Sequence, residues 1–121
     1  MKLFVPKETA KGETRVAMTP DSARKLVGLG LELTLESNLG SAAGHSDDEY
    51  REAGASIAAE AAEAAREADL VARVQKPAAE TIGNLGKGCL HLSFLDPFNE
   101  KELIGQLASA GISAVSLEMI P

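Results

Sequence analysis

The sequence predicts a single α/β domain built on a mainly parallel sheet. Short apolar runs alternate with amphipathic or alanine-rich stretches along the chain, the pattern of βα units rather than of a bundle or sandwich. Several of those runs are near-continuously apolar, as strands covered on both faces are. A length of 121 residues is ordinary for one domain. With 45% apolar and 3% aromatic residues and no tryptophan, the core must be aliphatic and alanine-rich.

The elements follow in order. A first strand is expected over residues 3–5. The first helix has Thr19 as its N-cap and Pro20 at its first helical position. Ala23, Leu26 and Val27 share one face, and Gly28 and Gly30 mark the stop. A second strand covers 32–36, followed by a glycine-bearing turn over 38–44 that could bring backbone amides near an anion or simply turn the chain. The next helix opens at Ser46, with Glu49 in capping-box spacing, and stops near Gly54. Residues 58–68, AAEAAEAAREA, read as a surface helix with a small-residue face. Strands are expected over 70–74 and 89–94, then a helix starting around Asp96-Pro97 with Leu103, Ile104 and Leu107 inward, and a last strand over 113–117. A chain stopping directly after a strand reads as a piece of a longer protein.

Composition narrows the function classes. A net charge of −6 without a Lys/Arg cluster argues against a nucleic-acid surface and does not favour anionic lipid. Cys89 is the one cysteine, so no internal disulfide is possible, and its apolar setting reads as packed strand in a reducing cytoplasm. No apolar run approaches the roughly 20 residues that cross a bilayer, so no membrane insertion of this segment is expected.

In an open parallel sheet, ligands sit beyond the carboxyl ends of the strands. The residues there are Pro6-Lys7-Glu8, the returning Arg15, Gln75-Lys76-Pro77 and Asp96-Pro97. Arg15 reaches either a carboxylate, Glu8 or Glu13, or a ligand anion. Lys76 is a substrate-carboxylate clamp, a lysine base or a solvated charge, and Asp96 can serve as a helix cap. His45 in a turn and His91 in an apolar strand read as structural, with too few partners to make a metal site. The chain contains no GxGxxG, P-loop or GxSxG motif.

The opening VPKET…GETRVAMTPDSARKL, the middle LGLELTLESNLGSAAGHSDDEYREAGA, and the later ADLVARVQKP and AVSLEMIP resemble the N-terminal domain shared by alanine dehydrogenase and the alpha subunit of nicotinamide nucleotide transhydrogenase. The resemblance covers essentially the whole chain, with its pieces in the family's order and spacing. It implies a flavodoxin-like (Rossmann-like) three-layer domain, facing an NAD(H)-binding Rossmann domain across a cleft. That second domain is expected beyond residue 121.

The resemblance also lets the two branches be compared. Alanine dehydrogenases resemble this chain at Arg15 but carry lysine in a VKEP-like segment and histidine after the FL of the next strand. Here those positions read Gln75 and Asp96, and Lys76 is displaced by one residue, which turns its side chain elsewhere. Transfer of a hydride between two nicotinamides needs no proton donor at the reacting carbon, so the transhydrogenase reading is favoured and no catalytic residue is assigned. Arg15, Gln75 and Asp96 become the cleft residues expected near the cofactor. The resemblance further implies a homodimer of the full component, NADP(H) on a beta component, and a cytoplasmic position peripheral to the inner membrane through a membrane domain that carries protons. The alternatives are an alanine dehydrogenase-like amino-acid dehydrogenase domain, with Asp96 as its base, or a non-catalytic flavodoxin-like binding module.

Overall fold

The computed structural model describes residues 1–8, 12–77, 79–95 and 100–117, excluding the side chains of 79, 80 and 94. Six strands are β1 (Lys2–Val5), β2 (Glu32–Glu36), β3 (Ser56–Ala58), β4 (Leu70–Gln75), β5 (Leu90–Phe94) and β6 (Ser113–Ser116). Among the described residues the α-helices are α1 (Pro20–Gly28), α2 (Asp47–Glu52), α3 (Ala61–Glu67), α4 (Ala79–Ile82) and α5 (Lys101–Ser109), with a short 3-10 turn over Ser41–Ala43. The strands form one sheet in the order β3-β2-β1-β4-β5-β6, and every neighbouring pair is parallel. The five strands read from the sequence stand by themselves in the flavodoxin-like order. The short edge strand β3 extends that order to the doubly wound 3-2-1-4-5-6 arrangement.

Alternation of side chains along the strands divides the core between two faces. Leu3, Val5, Leu33 and Leu35 pack on one face with Met18, Ala23 and Tyr50, beneath α1 and α2. Phe4 and Val71 pack on the other with Ala65, Ile82, Leu103 and Leu107, beneath α3, α4 and α5. Helices on both sides of a parallel sheet make the three layers.

Local chemistry fixes several boundaries. Thr19 caps α1, its hydroxyl accepting from the Ser22 amide at 3.3 Å, with Pro20 first in the helix. Ser46 and Glu49 form a reciprocal capping box on α2, and Gly54 ends that helix at a φ of 102° that a side chain would strain. Tyr50 projects from α2 into the first core layer, fully buried, and its hydroxyl donates to the Met18 carbonyl at 2.6 Å. This bond ties α2 to the segment that leads into α1. Tyr50→Phe should therefore cost about 1–2 kcal/mol by leaving that carbonyl unsatisfied, measurable as a lower urea midpoint with an unchanged m-value.

Three boundaries differ from the sequence reading. Ala58 belongs to β3, and the helix expected over 58–68 forms only over Ala61–Glu67, because pairing of Ser56–Ala58 with β2 overrides the helix propensity of alanine. The last helix starts at Lys101 rather than around Asp96-Pro97, with Glu100 in a non-helical conformation at its start. β5 starts at Leu90, one residue after Cys89, which is buried in the second core layer with burial pushing its thiol pKa up.

Candidate functional site

The strand order reverses between β1 and β4. β1 leads through α1 toward β2 on one side, and β4 leads through α4 toward β5 on the other. A doubly wound sheet binds its ligands in the crevice outside such a switch point. Here the crevice is widened by two features. β1 and β4 pair only at Leu3↔Leu70 and Phe4↔Val71, and β4 slips against β5 between Ala72 and Gln75, a bulge that frees backbone groups at its carboxyl end.

Glu8 fills the gap. Its carboxylate crosses from β1 to β4 and accepts the Val74 and Gln75 amides, each at 2.9 Å. The two freed donors thus receive charge-assisted bonds, and the end of β4 is fixed.

Glu13 organises what stands above. Its Oε1 accepts from Arg15 Nη2 at 2.7 Å and from Gln75 Nε2 at 2.7 Å, and its Oε2 accepts the Arg15 amide at 2.8 Å. Arg15 Nε adds a further bond at 3.0 Å. One carboxylate, only 6% exposed, thereby joins Arg15 and Gln75, while the Arg15 side chain remains 61% exposed. Of the two partners open to Arg15, Glu13 holds it and Glu8 is engaged at β4. Arg15 first, then Gln75, hold the Glu13 carboxyl down to about 2, and Glu13 in turn raises Arg15. Neither group changes protonation near neutral pH.

The remaining sequence candidates are placed as follows. Asp96 lies outside the described residues. Lys76 pairs with Glu100 at 2.5 Å, reaching toward the start of α5. The turn over 38–44 is closed by the protein's own carboxylate: Asp47 accepts from the Asn38 amide at 2.8 Å and the Ser37 hydroxyl at 2.7 Å, and the Ser37 bond leads in depressing its pKa. His45, just before the Ser46 cap of α2, lies 3.5 Å from Glu49 and packs edge-on against Tyr50. His91 is fully buried and bonds Ser93 across 3.0 Å. No helix among the described residues is long and apolar enough to cross a membrane.

The site joins an anion-pairing arginine, a carboxamide and a carboxylate whose pKa is held low in one exposed crevice. Such a group can position a polar ligand but cannot exchange a proton with it at neutral pH. Nor do the residues present suit a dinucleotide pyrophosphate. The first βα turn has Pro6-Lys7-Glu8 in place of a glycine-rich loop, and the Glu8 carboxylate already occupies the β4 amides.

Comparison with known proteins agrees with this architecture. Residues 4–121 match the family model for the alanine dehydrogenase/PNT N-terminal domain. The chain is 37% identical to NAD(P) transhydrogenase subunit alpha of Cereibacter sphaeroides, over 100% of this chain and 23% of that protein. It is 36% identical to alanine dehydrogenase of Halomonas elongata, over 99% of this chain and 32% of that one. The crystal structure of transhydrogenase from Sinorhizobium meliloti superposes with a TM-score of 0.94 at 31% identity, covering all of this chain and 36% of its own. The chain therefore spans between 23% and 36% of the length of these relatives. It belongs to the family of N-terminal domains shared by alanine dehydrogenases and the transhydrogenase alpha subunit.

Proposed function

We propose that this domain is the leading portion of the NAD(H)-binding alpha subunit of a proton-translocating NAD(P) transhydrogenase, which passes hydride from NADH to NADP+. Overall identity does not separate the two branches of the family, since it stands at 37% to one and 36% to the other. The observation that carries the reading is the Gln75–Glu13–Arg15 cluster. By the family resemblance Gln75 stands where the dehydrogenase branch has its lysine, and its carboxamide is bonded to a carboxylate whose pKa is held low. Amino-acid oxidation to a 2-oxo acid and ammonia requires proton transfers, which such a cluster does not provide. Nicotinamides, when bound, would supply the hydride chemistry, which needs no proton donor from the protein at the reacting carbon.

In this reading Glu13 holds Arg15 and Gln75 in place as the cleft wall beside a nicotinamide bound mainly to a following Rossmann domain. The family resemblance adds Asp96, which lies outside the described residues, as a third residue near the cofactor. NADP(H) sits on a beta component, the full component is a homodimer, and a membrane domain carries the protons, so the assembly is cytoplasmic and peripheral to the inner membrane. The 121 residues alone are expected to be inactive.

The test uses the protein that carries this domain together with its dinucleotide domain. NADH-dependent reduction of an NADP analogue should appear on adding the NADP-binding component, with no alanine-dependent reduction of NAD. Glu13→Gln, which removes the charge that pairs Arg15 and leaves one acceptor oxygen where two served Arg15 and Gln75, should lower hydride transfer several-fold. Alanine turnover by the unaltered protein would overturn the assignment.

A further inference from the structure

A cavity of about 140 Å³ lies between the second sheet face and helices α3 and α4, reaching the strand ends at Pro6 and Pro77. Phe4, Ala62, Ala65, Val71 and Leu85 give it mostly apolar walls. Its size is close to that of an engineered protein cavity that admits benzene, a molecule of about six non-hydrogen atoms. Lys7, Glu36, Arg73, Thr81, Asn84 and His91 interrupt the apolar lining, and of these Arg73 and His91 are buried. These two stand on neighbouring strands and on one face, since His91 is in register with Val71, two residues before Arg73.

Both side chains are buried, Arg73 at 9% exposure and His91 at 0%. Arg73 Nε and His91 Nδ1 are buried with no hydrogen-bond partner among the described residues. Buried polar atoms of this kind are rare, and each has a desolvation cost that a ligand atom would relieve. The carboxylates that favour the Arg73 charge through space, Glu8 and Glu36, do not bond it. Glu8 is engaged by the β4 amides, and Glu36 accepts the Lys7 amide at 3.4 Å. In the tautomer in which the Ser93 hydroxyl donates to Nε2, a neutral His91 carries its proton on Nδ1, and both orphan atoms are then donors. Two donors on one face of a small, mostly apolar chamber match a carboxylate with a short hydrocarbon body. The apolar walls and the nearby Glu8 and Glu36 charges disfavour a doubly charged inorganic oxyanion.

We propose that this cavity binds a small organic acid of about six non-hydrogen atoms, its carboxylate on Arg73 Nε and His91 Nδ1 and its hydrocarbon body against Ala62, Ala65 and Leu85. The site is separate from the Glu13 cluster and does not depend on which branch of the family the protein serves.

Calorimetric titration of the purified chain with n-butyrate, the neutral isostere butyramide and inorganic phosphate tests it. Butyrate should bind saturably, and butyramide and phosphate should each bind roughly tenfold more weakly or worse. Arg73→Gln keeps the side chain polar, removes the charge, and should lower butyrate affinity roughly tenfold or more. Ala62→Leu leaves Arg73 in place, fills the chamber from α3, and should abolish binding even if Arg73→Gln fails to fold. The proposal is overturned by an absence of saturable butyrate binding, by equal binding of butyramide or tighter binding of phosphate, or by unchanged affinity in Ala62→Leu.

Discussion

Replacing Glu8 with alanine is expected to lower the unfolding free energy by about 3 kcal/mol, because two backbone amides lose an ionised acceptor at once and each such bond contributes roughly 1.5–3 kcal/mol before allowance for its partial exposure. The donors are the Val74 and Gln75 amides, both at 2.9 Å from the Glu8 carboxylate. No backbone acceptor can replace Glu8 without restructuring, since β1 and β4 pair only as far as Phe4↔Val71 and β4 is bulged against β5. Glu8→Gln keeps one acceptor oxygen but turns an NH₂ group toward the second amide, so its loss should be intermediate. Urea unfolding monitored by circular dichroism gives the values. A double-mutant cycle with Gln75→Ala should show coupling, because Gln75 is held by Glu8 through its backbone and by Glu13 through its side chain. Loss below about 0.5 kcal/mol in Glu8→Ala, the range of ordinary surface substitutions, would show that the bridge does not hold β4.

The elements of this fold that are legible in the sequence are those set by local chemistry. Thr19-Pro20 and the Ser46/Glu49 capping box mark two helix starts because the cap and its orphan amides lie within three residues of each other. The central strands are legible because burial on both faces leaves continuous apolar runs. β3 is not legible, because three residues at a sheet edge, Ser56–Ala58, carry too little pattern against the alanine-rich helix signal that follows. Nor is α4, since four residues do not display a helical period.

The site follows the same division. Arg15 and its short-range partner Glu13 are two residues apart and can be paired on paper. The role of Glu8 depends on β1 and β4 being neighbours and on a bulge in β4, facts of topology that no local motif encodes. Gln75 is legible as a strand-end residue and, through family resemblance, as a cleft residue, and the structure adds that its side chain is bonded to Glu13. Arg73 gives no signal, because one cation in LVARV reads as an interruption of a strand, whereas the fold turns it inward beside His91.

His91 gives the second large effect, a loss of stability on mild acidification. It is fully buried, bonds Ser93, and lies near the Arg73 charge. Burial first, and Arg73 second, hold its pKa down to about 4 from the ordinary 6.5. Between those values the unfolded chain binds a proton that the folded chain refuses, so stability falls as pH falls, by up to about 1.4 kcal/mol per pH unit and about 3 kcal/mol in all. The depressed carboxyls of Glu13 and Asp47 act in the same direction but only below their ordinary values of 4.5 and 3.8. The interval from pH 6.5 to 4.5 therefore isolates the histidine. Denaturant midpoints measured across it should slope in the unaltered chain and flatten in His91→Gln, which retains a polar side chain but cannot take up the proton. A slope that survives in His91→Gln would assign the titration to another group and remove the case for a neutral imidazole beside Arg73.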